Sequence, residues 1–235
     1  MGDDERPGGE PAAWPAPVEP LPHPDLHPAL VLAVGVTAAV AFVVLRVVVA
    51  LGGHAPLPVD LWWHDLMLRT LDDAGVVVAW VPAIVGGTIG MIIVGIVIVA
   101  IFALRRRGWD AATLALAIVA VVAIGAPMAA IIARVRPADS LAETVATSFP
   151  SGHTAVATTL AVTLGLLLRR WYVWVLGALW VLLMMWSRTY LQAHWLSDVV
   201  AGLLEGIAVA TLVWCAMYAV RVRRSNRAAS AVGSG

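Results

Sequence analysis

The chain has 235 residues, of which 61% are hydrophobic and only 13% charged. Soluble domains carry roughly 25% charged residues, so the composition excludes an ordinary aqueous globular protein and fits a membrane protein. The formal net charge is zero, which argues against a nucleic-acid partner that would need a basic face, and the single cysteine, Cys215, excludes an intramolecular disulfide.

Residues 1–28 hold eight of the fourteen prolines and six carboxylates. They lack a basic segment followed by an apolar core, so they do not read as a signal peptide; they read as a disordered, solvated tail. A bilayer-crossing helix needs about 20 mostly apolar residues, and six candidates follow, near 29–51, 82–104, 111–133, 152–168, 171–187 and 196–220. Pro82 suits the first position of its helix. The fourth and fifth spans are short, which places their outer ends in a polar site rather than in lipid. Between the first two spans, residues 58–73 alternate Val59, Trp62, Trp63, Leu66 and Met67 with Asp60, His64, Asp65, Arg69 and Asp72. That spacing predicts an amphipathic helix in the outer interface, acting chiefly as an anchor. The predicted fold is therefore all-α: a polytopic membrane protein of six transmembrane helices with an interfacial helix between the first two. Its divisions are a Pro-rich tail over 1–28, a six-span domain over 29–220 and a basic tail over 221–235.

Arginines orient the spans, since the chain contains no lysine. The clusters at 105–107, 169–170 and 221–227 fall on the same side as the N-terminal tail, which the positive-inside rule makes cytoplasmic. Both termini are thus predicted inside. Arg69, Arg134, Arg136 and Arg188 fall on the other side, and Arg46 lies near the outer end of the first span, where snorkelling accommodates it.

Three polar groups share that outer face: "ARVRP" at 133–137, "PSGH" at 150–153 and "SRTYLQAHWLSD" at 187–198. Ser151 and Gly152 open a helix, whose first amides lack internal partners and carry the positive end of the dipole. Glycine admits an anion close to the backbone and serine adds a hydroxyl, so the pair reads as a phosphate cradle. Arg136 and Arg188 add guanidinium forks suited to phosphate oxygens. His194 and Asp198 are four residues apart and share a face if helical; a carboxylate on one imidazole nitrogen leaves the other free to attack. His153 is a second imidazole able to give and take a proton.

With these residues the chain resembles the type 2 phosphatidic acid phosphatase family of membrane lipid phosphatases. The family pattern runs Lys-x6-Arg-Pro, Pro-Ser-Gly-His and Ser-Arg-x5-His-x3-Asp. Here Arg136-Pro137 ends the first part, Pro150-Ser151-Gly152-His153 is the whole second part, and Ser187-Arg188, His194 and Asp198 complete the third. The resemblance covers about residues 29–220. It implies that His194 attacks phosphorus to form a phosphohistidine, that Asp198 orients it, and that His153 protonates the leaving oxygen and then activates water. It implies that Arg136, Ser151, Gly152 and Arg188 hold the phosphoryl oxygens, with no metal and no cofactor. One position departs from the pattern: the family lysine is Ala129, and Arg134, five residues on, is the nearest cation to replace it.

The resulting expectation is a lipid phosphate or diphosphate phosphatase in the cell membrane, its site open to the extracytoplasmic face, with polyprenyl diphosphates or phospholipid phosphates as substrates, membrane lipids as partners and no nucleic acid. Two further readings stand beside it. One is a non-catalytic phospholipid-binding protein whose site has decayed at Ala129. The other is a metal-dependent membrane protein using His153, His194 and Asp198 as ligands. Glu205, seven residues past Asp198, is an ionisable group deep in the last span and is left outside the catalytic set.

Overall fold

The structure is a computed structural model that describes residues 27–143 and 145–233; the tail predicted over 1–26 lies outside the described residues. It is helical, in the order α1 (Pro28–Leu51), α2 (Pro58–Arg69), α3 (Asp73–Val85), α4 (Thr88–Leu104), α5 (Gly108–Ile132), α6 (Gly152–Leu168), α7 (Trp171–Tyr190) and α8 (Leu196–Gly233). Among the described residues, α1, α5, α7 and α8 are long and apolar enough to cross a membrane, and the pair α3–α4, bent by 46°, makes a fifth crossing if counted as one span. The chain is a multi-pass membrane protein. The sixth expected span, α6, is a 17-residue apolar helix, about 26 Å long at the usual helical rise and so shorter than the ~30 Å hydrocarbon core.

The largest difference from expectation lies between residues 70 and 104. Pro82 is inside α3, not at a helix start. Asp72 makes the true start: its Oδ1 accepts from Gly75 N–H at 2.6 Å, ending the interfacial helix at Arg69 and opening α3 with a cap. The Gly86–Gly87 pair then breaks the span, and Met184 Cε and Trp180 fill the space beside Gly86 so closely that a Cβ would lie 2.3 Å from the former. At the other end of the chain the basic segment 221–233 continues α8 rather than forming a separate tail. Helix α8 has 38 residues, about 57 Å at the usual rise, so its arginines ride beyond the apolar part of the helix.

The centre of the bundle is α6, which packs against α4, α5, α7 and α8 and buries residues along its whole length from Thr154 to Leu166. Two glycines one turn apart, Gly202 and Gly206, let α8 approach it. A Cβ at Gly202 would lie 2.5 Å from the Ser151 carbonyl oxygen, and one at Gly206 2.7 Å from that of Ala155. Small residues four apart are how membrane helices come into backbone contact, and this contact fixes the start of α6 against the start of α8. Below it, Val121, Ala155, Leu160, Met184 and Val209 form an apolar core. Glu205 is 2% exposed, and among the described residues neither carboxyl oxygen has a hydrogen-bond partner. It faces Gly125 of α5, where a Cβ would sit 3.2 Å from Oε1.

Candidate active site

Helix α5 ends at Ala133 in a left-handed conformation, and the chain then doubles back before α6. A short antiparallel contact closes this loop: Val135 bridges Thr147, Arg136 N–H bonds to Ala146 O at 3.0 Å, and Ser148 N–H bonds to Arg134 O at 2.9 Å. Arg136 locks the loop from inside. Its Nε donates to Val145 O at 2.8 Å, its Nη2 to Thr147 O at 2.7 Å, and its Nη1 to Ala193 O in the α7–α8 loop. The three polar segments read from the sequence are thereby drawn together around a cavity of about 280 Å³ whose walls include Arg136, Gly152, His153 and His194. On the floor are Val121, Val122 and Gly125 of α5.

Gly152 is the first residue of α6. The first intrahelical bond is Ala155 N–H to Ser151 O at 3.0 Å, so the amides of Gly152, His153 and Thr154 belong to the helix's orphan donors. Ser151 behaves differently from expectation. It is fully buried, its amide bonds to Asp198 O at 3.0 Å, and its hydroxyl accepts from Thr154 Oγ1 at 3.2 Å. It ties α6 to α8 rather than lining the cavity.

His194 precedes α8 in the loop, so the shared helical face with Asp198 does not arise; the pair meets because Asp198 lies in the first turn. Nδ1 of His194 is 2.8 Å from Ser148 O and 3.8 Å from Asp198 Oδ2. The carbonyl can only accept, so Nδ1 carries the proton and Nε2 keeps its lone pair. Asp198 adds negative charge, while its Oδ2 accepts from Trp195 N–H at 3.0 Å and caps α8. Burial pushes the His194 pKa below its usual 6.5, the Asp198 carboxylate pulls it part of the way back, and the Arg188 and Arg136 guanidiniums press it down again. The imidazole is therefore neutral at neutral pH. Any activity that needs this lone pair is expected to hold its plateau down to pH 6.5 and to fall only below that value. A kcat/KM profile with its acid midpoint above 6.5 would contradict a neutral, buried His194.

A residue absent from the sequence reading occupies the middle of the site. Glu143 receives Arg136 Nη2 on Oε2 at 2.7 Å, Arg188 Nη2 on Oε1, and lies 3.5 Å from His153 Nδ1. One ligand atom each from Glu143, His153 and His194 falls within a sphere where all lie within 4.8 Å of one another, so both imidazoles address one point. Burial pushes the Glu143 carboxyl up, but His194, Arg188, Arg136 and His153 outweigh it and hold its pKa below the ordinary 4.5. No spacing rule reveals such a residue, because Glu143 sits alone in an irregular loop.

Arg134 is not in the cavity, contrary to expectation. It is fully buried, with Nη1 bonded to Asp198 Oδ1 at 2.5 Å and to Ser197 Oγ at 2.7 Å, and Nη2 bonded to Asp60 Oδ2 at 2.7 Å. Asp60 is equally buried and also accepts from Ser197 N–H at 2.7 Å and from Leu57 N–H at 2.8 Å. The interfacial helix α2 is thus bolted to the start of α8 through one carboxylate, a role its amphipathic pattern hid. His64 of the same helix pairs with Asp139 at 3.3 Å and with the Trp195 ring. Ala129 lies in the cavity wall, and with Arg134 committed elsewhere its missing cation is not replaced from that residue.

The class defined so far is an all-helical membrane protein with a cation-lined, two-imidazole site at the mouth of its central helix. The profile of the PAP2 superfamily matches residues 110–221. The chain is 46% identical over 59 residues, 25% of its own length and 28% of the relative's, to the undecaprenyl-diphosphatase of Sulfolobus acidocaldarius. The chain therefore spans well under half of that relative. Its fold is similar to that of the transmembrane PAP2-type phosphatidylglycerolphosphate phosphatase from Bacillus subtilis, with a TM-score of 0.66 and 21% identity, over 76% of this chain and 93% of that one.

Proposed function

We propose that this protein is a lipid phosphate or diphosphate phosphatase that works through a phosphohistidine, without a metal, at a site facing away from the cytoplasm. The observation that carries this reading is the convergence of Arg136, Arg188, His153 and His194 on one anionic point. In the first step His194 Nε2 attacks phosphorus, the bond to the leaving oxygen breaks, and His153 supplies the proton that oxygen needs. His153 presents Nδ1 to the site, since its Nε2 points towards Gly87, where a Cβ would lie 3.7 Å away. In the second step His153 takes a proton from water, hydroxide attacks the phosphohistidine, and inorganic phosphate leaves. The guanidiniums and the α6 amides stabilise the negative oxygens of each transition state.

The cavity's polar end and its floor of α5 side chains suit an amphiphile: a phosphoryl headgroup with an apolar chain below. A polyprenyl diphosphate is favoured among such substrates by the similarity to an undecaprenyl-diphosphatase. The arginine clusters at 105–107, 169–170 and 221–227 support cytoplasmic termini and an outward site.

The test is phosphate release by the purified protein from polyprenyl diphosphate, polyprenyl phosphate, phosphatidic acid and phosphatidylglycerophosphate, with and without chelator. Release from at least one, unaffected by chelator, is the expected result. A second reading is favoured by the Glu143–His153–His194 grouping, which has the donor types of a divalent metal site. It predicts chelator-sensitive activity, though the two adjacent guanidiniums oppose a bound cation. Binding without release from any of the four lipids would mark a decayed site.

A further inference from the structure

Three of the groups expected to act on a phosphoryl group, Arg136, Arg188 and His153, are engaged with the same carboxylate. Oε1 of Glu143 accepts from Arg188 of α7 and faces His153 of α6, while Oε2 accepts from Arg136 of the α5–α6 loop at 2.7 Å. The carboxylate fork and an O–P–O edge have the same bidentate fit to guanidinium. The cradle has further donors to offer: among the described residues the buried Nε of Arg188 has no hydrogen-bond partner. Arg136 spends three of its five N–H donors on backbone carbonyls, so the Nη2 N–H directed at Glu143 is a donor that a ligand would take over.

The geometry points to Glu143 as a displaceable internal anion that competes with the phosphoryl group for Arg136, Arg188 and His153. It thereby keeps free phosphate from filling the cradle, which a membrane-anchored phosphoryl group, bound by its chain as well, can still enter. The inference rests on reading this site as a phosphoryl cradle. The two anions cannot share it: two carboxylate oxygens already fill positions that phosphate oxygens need, and like charges held this close repel. Glu143 can leave, because it is carried by an irregular loop and its side chain is 22% exposed, whereas Arg136 and Arg188 are held in buried positions.

Selectivity follows from what each ligand can set against the displacement. A lipid-linked phosphoryl group also places its chain along the apolar floor formed by Val121, Val122 and Val156, and that burial offsets the loss of the Glu143 ion pairs. Inorganic phosphate has only its charge. After hydrolysis the lipid portion is no longer attached to the phosphate, and the returning carboxylate expels it. Glu143 thus sets how tightly the cradle holds free phosphate, and the chain lacks an additional lysine at Ala129 that would hold phosphate more tightly.

The experiment measures inorganic phosphate binding to the detergent-solubilised full chain by thermal shift, a readout that needs no turnover. Wild type, Glu143→Gln and Glu143→Ala are compared, each also in a His194→Ala background. Charge-assisted hydrogen bonds contribute about 1.5–3 kcal/mol each, so half-saturating phosphate is expected to fall at least tenfold in both variants, and KM for a lipid phosphate to fall with it. Phosphate binding unchanged or weakened in variants that melt like the wild type would overturn the inference and leave Glu143 as a positioning residue for the arginines. Should the alanine variant fold poorly, the near-isosteric glutamine decides alone. A protein that releases no phosphate from any lipid, yet binds phosphate more tightly as Glu143→Gln, would refute the phosphatase reading and retain this one. Hydrolysis with unchanged phosphate affinity does the reverse.

Discussion

His194→Ala is expected to lower phosphate release by about 10³-fold or more, the scale seen when a covalent nucleophile is removed. The protein should still bind inorganic phosphate. The separation between turnover and binding follows from the geometry. On the proposed route Nε2 supplies the attacking lone pair, whereas the groups proposed to hold the anion are Arg136, Arg188 and the α6 amides, none of which needs the His194 ring to stay in place. The residual structural cost is local: the ring is 5% exposed, and the substitution removes its hydrogen bond to Ser148 O. Radiolabel from a lipid phosphate should be trapped on acid-quenched wild type during turnover and be absent from the variant. Substantial turnover in a folded His194→Ala protein would exclude the phosphohistidine route. Asp198→Asn should be milder in its effect on the imidazole, since Ser148 O at 2.8 Å, and not Asp198 at 3.8 Å, sets the tautomer.

The parts of this site that were legible in the sequence are those tied to local backbone chemistry. A helix that starts at Gly152 has free amides whatever surrounds it, and an apolar run of 24 residues such as α1 has few alternatives to a membrane span. The parts that were not legible depend on partners far along the chain. Arg134 and Arg136 look alike in "ARVRP", yet one meets Asp60 across 74 positions and the other meets Ala193 across 57. Asp60 repeats the pattern: in an amphipathic helix it reads as a solvent-facing carboxylate, and only packing against Ser197 and Arg134 makes it a buried one. The break between α3 and α4 was hidden for a related reason. Hydropathy runs on through Gly86–Gly87, and it takes Met184 and Trp180 pressing on Gly86 to show where the span bends.

Arg134→Ala is therefore expected to act on stability rather than on substrate affinity. The guanidinium lies between two carboxylates, all three with side chains 0% exposed, and its removal strands Asp60 and Asp198 without a cation. Breaking a buried ion pair in this one-sided way costs about 3–5 kcal/mol, enough to lower the melting temperature sharply or to prevent accumulation of the folded protein. Because Asp198 also caps α8 beside His194, any surviving activity should fall in kcat, with KM for the lipid near its wild-type value. Arg188→Ala provides the contrast: its loss should raise KM, since Arg188 reaches the anion point itself through Glu143. Adding Asp60→Asn to Arg134→Ala removes one of the two stranded charges and should recover part of the lost stability. If Arg134→Ala instead raised KM with an unchanged melting temperature, the guanidinium would have to reach the substrate, and its place between Asp60 and Asp198 would not describe the working protein.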